Sequence, residues 1–241
     1  MYIERTNSTN SLLKELLAKG EWPADEHFLR AGFQTAGRGQ TGNGWESEAD
    51  KNLLCSILLP PRENLFELNI VVAVAVQRML GEAFTIKWPN DIYWQDKKVA
   101  GILIENAILG NAIKYSIAGI GLNVNQTEFV SDAPNPVSLK QIMGKDYDLD
   151  EMMLRLYKET QKALEENVWE EYKSHLYRRE GWFPYVEREV STAPTMNADA
   201  QTTNQFMARI EDVLPTGEIV LCDQQGNRRT YHFKQIRYVV N

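Results

Sequence analysis

The sequence has few of the residues on which disulfide-rich, metal-binding and membrane proteins depend. It contains two cysteines, Cys55 and Cys222, and three histidines among 241 residues. Two isolated cysteines supply neither a disulfide framework nor a Cys-x-x-Cys metal site. The longest apolar run, residues 70–76, is too short to span a bilayer, and the N-terminal residues lack the apolar segment of a signal peptide. These absences predict a cytoplasmic globular protein without a membrane partner.

Basic residues are also in the minority. The chain has 33 Asp and Glu against 26 Lys and Arg, which gives a net charge of −7. Broad nucleic-acid binding calls for a basic face, so DNA is not an expected partner. The hydrophobic content of 43% and charged content of 24% are typical of a globular protein. A chain of this length accommodates one sizeable domain together with a small second one.

Glycine is concentrated in one stretch, residues 36–45, which reads AGRGQTGNGW and includes Arg38. Glycines let a loop bring its backbone N–H groups close to a ligand, and a guanidinium fork suits a phosphate or a carboxylate. Gly37, Gly39 and Gly42 match G-x-G-x-x-G, but no helical period follows, as a dinucleotide-binding unit requires. A P-loop is excluded because its glycine-lysine motif is absent. We interpret this glycine loop as an anion and ligand clamp, with an ordinary surface turn as the alternative.

Apolar periodicity predicts helices and strands in the first 181 residues. Leucines at 12, 13, 16 and 17 form one helical stripe that Ser8-Thr9-Asn10 precede, at the helix N-terminus. We predict further helices over residues 69–80 and 149–173, and strands over residues 27–33, 53–59, 85–88, 92–94, 99–105 and 114–125. Strand alternation would place Asn123 and Asn125 on one face. Glycines within the strand at 114–125 indicate the close approach of a ligand or another backbone.

A loop is predicted over residues 132–136 of the first part of the chain.

The pattern of residues changes after Gly181, and residues 191–205 are polar. Short β-type runs then follow at residues 206–213, 218–222, 229–233 and 236–240, with turn residues between them. We therefore predict two domains, residues 1–181 and residues 182–241, of which the second is a small all-β module consistent with an SH3-like barrel.

Four motifs occur in an order that resembles the biotin–protein ligase family, in its short form without a DNA-binding domain. They are Ser8-Thr9-Asn10, QTAGRG at residues 34–39 with Trp45, KWPND at residues 87–91, and KVAGIL at residues 98–103 with Glu105. GIGLNVN at residues 119–125 is a further match. No single motif is decisive, but the ordered set is specific. The resemblance implies an α+β fold class, with a mixed sheet backed by helices in a catalytic domain and an SH3-like β-barrel after it.

The resemblance also implies a two-step reaction. The carboxylate of biotin attacks the α-phosphate of MgATP, which gives biotinyl-5′-AMP and pyrophosphate. A lysine of a biotin carboxyl carrier protein then attacks the mixed anhydride and releases AMP. The expected ligands are thus biotin, ATP and Mg²⁺, and the expected protein partner is a carrier of the acetyl-CoA carboxylase type. A homodimer is left open.

Motif position carries the roles of the family onto individual residues. Lys98 and Arg38 would be catalytic, because cations there lower the barrier to bringing two anions together. The biotin site would be formed by Ser8, Thr9, Asn10, Gln34, Arg38, Gly39, Gln40, Lys98, Gly101 and Gly121. ATP would be bound by Arg38, Lys87, Asn90, Asp91, Lys98 and Asn123, with Mg²⁺ on Asp91. Trp45 would anchor the glycine loop.

Three alternatives share parts of this pattern. A lipoate or octanoate ligase has the same general fold, but its R-R-x-S-G-G-G-type loop with a nearby His-Asp is absent. A biotin-responsive repressor would need an N-terminal helix-turn-helix, for which the motif at Ser8 leaves no room. A non-catalytic biotin-binding module would not call for Lys98, Asn90 and Asp91.

The glycine loop departs from the family pattern in one respect. Many members read G-R-G-R-x-G-R-x-W, where this chain has Gln40 and Asn43 in place of the second and third arginines. A hydrogen bond to a charged group contributes about 1.5–3 kcal/mol, against about 1 kcal/mol for a neutral one. We therefore expect weaker retention of the adenylate, unless another cation, such as Arg237, folds over the site.

Overall fold

The computed structural model describes residues 1–40, 43–110, 112–130, 135–188 and 205–240. Its first part contains one sheet and five helices among these residues. The strands are β1 (Tyr2–Thr6), β2 (Phe28–Gln34), β3 (Leu53–Leu59), β4 (Phe84–Lys87), β5 (Asp91–Trp94), β6 (Lys97–Leu109) and β7 (Ala112–Leu122). The helices are α1 (Thr9–Lys19), α2 (Leu65–Leu80), α3 (Leu139–Met143), α4 (Leu149–Glu165) and α5 (Trp169–Ser174).

The seven strands lie in the order β1-β2-β3-β7-β6-β5-β4. β1 runs parallel to β2, and every other neighbouring pair is antiparallel. This confirms the mixed sheet and the α+β class. The predicted strands at 27–33 and 53–59 and the predicted helix at 69–80 are confirmed. β1 was not predicted, because its outward-facing residues give it no apolar alternation.

α2 supplies much of the core. From Leu68 to Met79 nearly every side chain is buried, and the helix contacts β4, β5, β6 and α4. It ends at Gly81, as its sequence predicts. Burial on all sides favours a run of Val and Ala here, because an amphipathic stripe would leave polar residues inside. α1 contacts β2, β3 and β7, and this contact brings its N-terminus to the middle of the sheet.

The long helix predicted over residues 149–173 is wrong in one place, since the chain forms two helices there. Glu166 takes an extended conformation after α4, and α5 begins at Trp169. The side chain of Asn167 accepts a hydrogen bond from the Trp169 N–H at 3.2 Å. Such a local side-chain bond competes with the helical ladder. Arg78 of α2 then binds both Glu166 and Glu171 across the break.

The predicted strand at 114–125 is also shorter than expected. β7 ends at Leu122, where the chain leaves the sheet. The Asn123 amide donates to the Val137 carbonyl, whereas the Asn125 amide donates to the Tyr147 carbonyl. The two asparagines therefore do not share a strand face. Part of the predicted loop at 132–136 lies outside the described residues.

A second sheet follows, with β8 (Phe183–Glu187), β9 (Gln205–Val213), β10 (Ile219–Asp223), β11 (Arg228–Tyr231) and β12 (Ile236–Tyr238). Its strands are antiparallel in the order β11-β10-β9-β8-β12. This arrangement is consistent with an SH3-like domain, but over the described residues it does not close into the predicted barrel. The polar stretch at 191–204 lies outside those residues, and the domain boundary after residue 181 stays a prediction.

The second sheet packs against the β4 end of the first. The Trp88 indole N–H donates to the Gly217 carbonyl at 3.0 Å, and the Arg178 guanidinium donates to the Val239 carbonyl at 2.8 Å. Asn64 donates to the Pro215 carbonyl at 2.8 Å.

Among the described residues, none of the helices combines the length and hydrophobicity that a transmembrane segment requires.

Candidate active site

A cavity of about 340 Å³ lies where the N-terminus of α1, the glycine loop, the β4–β5 turn, β6, β7 and the second sheet meet. Its lining includes every predicted biotin and ATP residue except one: Ser8, Thr9, Asn10, Gln34, Arg38, Gly39, Gln40, Lys87, Asn90, Asp91, Lys98, Gly101 and Gly121. A larger cleft of about 500 Å³ lies beside α5 and β9 and holds none of these residues. There Lys173 is paired with Glu170 and Asp212.

The N-terminus of α1 forms the buried polar end of the cavity. Ser8 is the N-terminal capping residue of the helix, yet over the described residues its side chain makes no capping hydrogen bond, so its hydroxyl can bond to a ligand. Thr9 donates from its backbone N–H and its hydroxyl to Gln34 Oε1, at 2.8 and 3.2 Å. Neutral donors and acceptors at a helix N-terminus suit an uncharged polar group as well as an anion.

Asn10 is held by a hydrogen-bond network behind this end. Its amide donates to Glu105 Oε2 at 2.7 Å and accepts from the Ser56 hydroxyl at 2.6 Å. Arg38 reaches the same carboxylate at 3.4 Å and donates to the Ser11 hydroxyl at 2.8 Å. The guanidinium stays half exposed at the cavity, where it can still bind an anion.

Trp45 anchors the glycine loop, of which residues 36–40 and 43–45 belong to the described part of the chain. Its backbone N–H donates to the Gly37 carbonyl, and its indole ring lies over β6 and β7. A Cβ at Gly121 would stand 2.3 Å from the ring, and one at Gly101 would stand 3.1 Å from it. The indole N–H is buried without a hydrogen-bond partner among the described residues. Gly119 leaves room for another side chain in the same way, because a Cβ there would lie 2.5 Å from Asn10 Oδ1. The glycines of β7 therefore give Trp45 and Asn10 the space in which their side chains pack on the strand.

An ion pair stands beside the ring. The Lys98 ammonium lies 2.7 Å from Asp91 Oδ1, and both side chains are about a quarter exposed. The same ammonium lies 5.7 Å from the centre of the Trp45 ring. Asn90 holds the turn before Asp91 against β6, because it donates to the Ile102 carbonyl at 2.6 Å and accepts from the Ile102 N–H at 3.1 Å.

Lys87 occupies an aromatic environment at the β4 side of the cavity. Its ammonium lies 5.2 Å from the Tyr93 ring centre and 5.1 Å from that of Tyr238. Burial lowers the pKa of Lys87, Asp91 opposes that shift, and the positive charges of Lys98 and Arg178 add to it. A negatively charged ligand in the cavity would offset this repulsion.

The second sheet also contributes to the lining. Arg188, Phe233 and Arg237 border the cavity, and Phe233 packs edge-on against Trp88 with ring centres 6.0 Å apart. Sequence reasoning anticipated Arg237 but missed Arg188 and Phe233. No local signal marks them, because they reach the cavity only through the packing of one sheet on the other.

Asn123 is the one predicted ATP residue that does not line the cavity. It is 4% exposed, and its amide donates to the Val137 carbonyl at 3.3 Å and the Lys98 carbonyl at 3.5 Å. Its backbone N–H also donates to the Val99 carbonyl. Asn123 therefore supports the start of β6 from behind, where Lys98 is placed.

The described residues contain no cluster of three or more His, Cys, Asp or Glu that could hold a metal ion. Mg²⁺ is usually bound by one or two carboxylates together with phosphate oxygens of a substrate. Asp91 fits that arrangement as a single carboxylate, since one of its oxygens faces Lys98 and the residue borders the cavity. A magnesium ion would thus arrive here with a phosphate ligand.

The cavity can bind two anionic ligands through its cationic side chains, and the neutral polar N-terminus of α1 can hold the uncharged part of one of them. Arg38, Lys87 and Lys98 come from the first part of the chain, and Arg188 and Arg237 come from the second sheet. Cations around a low-dielectric site stabilise negative charge that develops between two reacting anions. This arrangement suits the reaction of a carboxylate with a phosphate.

Comparison with known proteins gives consistent matches. The profile of the Biotin/lipoate A/B protein ligase family matches residues 2–123. The bifunctional ligase/repressor BirA of Escherichia coli is 29% identical over 192 residues, which cover 76% of this chain and 55% of BirA. The biotin–[acetyl-CoA-carboxylase] ligase of Paracoccus denitrificans is 31% identical over 164 residues, which cover 63% of this chain and 67% of that protein.

A solved structure extends the likeness over the whole chain. The biotin protein ligase from Aquifex aeolicus in complex with biotin and ATP superposes with a TM-score of 0.77. It is 25% identical in sequence, and the match covers 99% of this chain and 98% of that one. By contrast, the chain spans about half the length of the curated BirA relatives it matches.

Proposed function

The chain belongs to the Biotin/lipoate A/B protein ligase family, and on that premise we propose that it activates biotin with ATP and transfers it to a lysine of a biotin carboxyl carrier protein. The observation that carries the proposal is the meeting of Arg38, Lys87 and Lys98 at one cavity that the neutral, polar N-terminus of α1 also lines. The likeness to a ligase structure that holds biotin and ATP supports it.

In the first step the carboxylate of biotin attacks the α-phosphorus of MgATP. A C–O–P linkage forms, and the bond from the α-phosphorus to the β-phosphate oxygen breaks and releases pyrophosphate. Lys98 and Arg38 hold the two anions together, and Lys87 neutralises the phosphates. Magnesium would come with the nucleotide as part of the substrate, and Asp91 is the carboxylate that would hold it while it neutralises phosphate charge. Two reactants held by fixed cations react as if at a very high local concentration.

In the second step the amine of the carrier lysine attacks the carbonyl carbon of biotinyl-5′-AMP. A C–N bond forms, the C–O bond to the phosphate breaks, AMP leaves and the amine gives up its proton. The departing AMP carries a phosphate that the same cations stabilise. The acceptor would be a carrier of the acetyl-CoA carboxylase type.

Biotin is favoured over lipoate as the substrate by the polar end of the cavity. Ser8, Thr9 and Gln34 present hydroxyl and amide groups at a buried helix N-terminus. Thr9 and Gln34 already pair with each other, but a ureido ring can exchange a hydrogen bond with the Ser8 hydroxyl, whereas a dithiolane ring would leave that hydroxyl unpaired at a cost of about 1–3 kcal/mol. Lipoate transfer remains the second candidate because the family includes it.

Mass spectrometry of the carrier tests the proposal. The protein is incubated with MgATP, a carrier domain and equal concentrations of biotin and lipoate, and the mass added to the carrier is measured. We expect biotin alone to be added, and only when ATP is present. No added mass, or lipoate added as readily as biotin, would contradict the proposal. A carrier whose target lysine is replaced by arginine is the control.

We propose further that DNA is not a partner, on the ground of the net charge of −7. Fluorescence anisotropy with labelled DNA at physiological salt tests this, and tight, sequence-dependent binding would overturn it. Whether two copies associate, as a homodimer requires, can be measured in the same buffer by analytical ultracentrifugation.

A further inference from the structure

Lys87 is held between two aromatic rings that belong to different sheets. Tyr93 lies on β5, two residues beyond the Asp91 turn, and Tyr238 lies on β12 of the second sheet. Their ring centres are 5.2 and 5.1 Å from the Lys87 ammonium. At these distances the face of each ring attracts the positive charge. The position of Lys87 at the cavity therefore depends on a residue of the second sheet.

Lys87 makes no ion pair with a carboxylate in the described part of the chain, although the charge of Asp91 acts on it through space. Asp91, the acidic residue at the β4–β5 turn, is already paired with Lys98, whose ammonium lies 2.7 Å from Asp91 Oδ1. Aromatic faces fix the position of an ammonium but do not neutralise it. An ammonium held in this way at the wall of a cavity is left to bind an anionic ligand.

Tyr238 acts through its ring and not through its hydroxyl. The residue is 6% exposed, and its ring also packs on Tyr185 and Tyr177, with centres 5.0 and 5.9 Å apart. Its hydroxyl is buried with no hydrogen-bond partner among the described residues. Buried hydroxyls are normally paired, so the native position of Tyr238 is set by contacts of the ring, one of which is Lys87.

We propose that Tyr238 is a positioning residue that holds the Lys87 ammonium toward the phosphates of the nucleotide, so that nucleotide binding depends on the second sheet. The inference rests on the proposed function, since it requires that ATP occupies the cavity. The positioning role requires the ring of Tyr238 and not its hydroxyl, and it predicts a change in ATP binding but not in biotin binding.

The test measures pyrophosphate release with ATP varied at saturating biotin, and with biotin varied at saturating ATP. Tyr238→Leu removes the ring, and we expect the KM for ATP to rise roughly five- to thirtyfold, the range of a desolvated cation–π contact. The KM for biotin should stay within about twofold. Tyr238→Phe keeps the ring, so its KM for ATP should equal that of the wild type.

Tyr231→Leu is the matched control, because Tyr231 is also a buried tyrosine of the second sheet, and over the described residues its ring packs on Phe206 and not on Tyr238 or Lys87. Melting temperatures show whether the two leucine variants lose similar stability. An equal rise in the KM for ATP in both, or a failure of Tyr238→Phe to restore it, would overturn the inference. If Tyr238→Leu does not fold, Tyr93→Leu replaces it and must give the same selective rise.

Different results contradict the proposed function and the positioning role of Tyr238. A wild-type protein that releases no pyrophosphate with biotin and ATP contradicts the proposed function. An active wild type whose KM for ATP is unchanged by Tyr238→Leu contradicts only the positioning role. In a Lys87→Met background, Tyr238→Leu should add less than about twofold to the KM for ATP, since the charge it positions is gone.

Discussion

The indole ring of Trp45 lies directly on the backbone of Gly121, so that a Cβ at Gly121 would stand 2.3 Å from Cε2 of the ring. Gly121→Ala should therefore push the ring away from β7 and loosen the glycine loop that it anchors. We expect biotin affinity to fall by at least about tenfold, because real Cβ atoms do not approach so closely and small displacements in a packed site are costly. Titration calorimetry with biotin measures the change.

The same substitution in a Trp45→Ala background is the control for this prediction. With the ring absent there is no clash, so Gly121→Ala should change biotin affinity by less than about twofold there. Equal losses in both backgrounds would mean that the glycine serves the ligand directly and not the ring.

Lys98→Ala should slow adenylate formation by at least about a hundredfold, which is the lower range for the loss of one electrostatic donor at a reacting centre. The Lys98 ammonium is a quarter exposed, lies beside the cavity and pairs with Asp91. Single-turnover pyrophosphate release measures the step. Lys97→Ala is the matched control, because Lys97 is exposed at the neighbouring position and does not border the cavity. A near-normal rate in Lys98→Ala would return that lysine to an ordinary surface role.

The strands and helices with local apolar patterns could be predicted, and those that depend on distant partners could not. β3 and α2 were found because their apolar runs are bounded by Pro60 and Gly81, which end each element locally. β1 was missed because only its parallel pairing with β2 makes it a strand. The break after Glu166 was missed for a similar reason, since Arg78 joins its two sides from another helix.

The candidate site divides in the same way. Arg38 and Lys98 lie in motifs that the sequence carries in full, and both line the cavity. Asn123 lies in an equally clear motif, yet its side chain turns to backbone carbonyls after β7 ends. Motif membership does not specify the direction of a side chain. Arg188 and Phe233 carry no motif and enter the site only because the second sheet packs over Trp88.

Asn52→Ala should destabilise the protein. The Asn52 side chain is fully buried and donates to Gln126 Oε1 at 2.6 Å and the Ser47 hydroxyl at 3.1 Å, while it accepts from the Val124 N–H at 2.9 Å. The substitution leaves buried partners unpaired, at a cost of about 1–3 kcal/mol in the free energy of unfolding. Urea denaturation measures it, with the exposed Gln224→Ala as control. Similar unfolding free energies for the two variants would contradict the expected role.

Arg237→Gln should release biotinyl-5′-AMP faster. Gln40 and Asn43 stand where the family pattern that the glycine loop resembles implies arginines, and the exposed Arg237 side chain borders the same cavity from β12. Replacing a charged hydrogen bond with a neutral one costs on the order of 1.4 kcal/mol, which is about tenfold in the dissociation rate. Stopped-flow fluorescence measures that rate, and Arg228→Gln on the exposed edge strand β11 is the matched charge control. Gln40→Arg should slow release in both backgrounds while leaving biotin affinity nearly unchanged, because the added charge would attract the phosphate of the intermediate and not the neutral ring of biotin. An off-rate unaffected by Arg237→Gln would show that the second sheet does not replace the missing loop arginines.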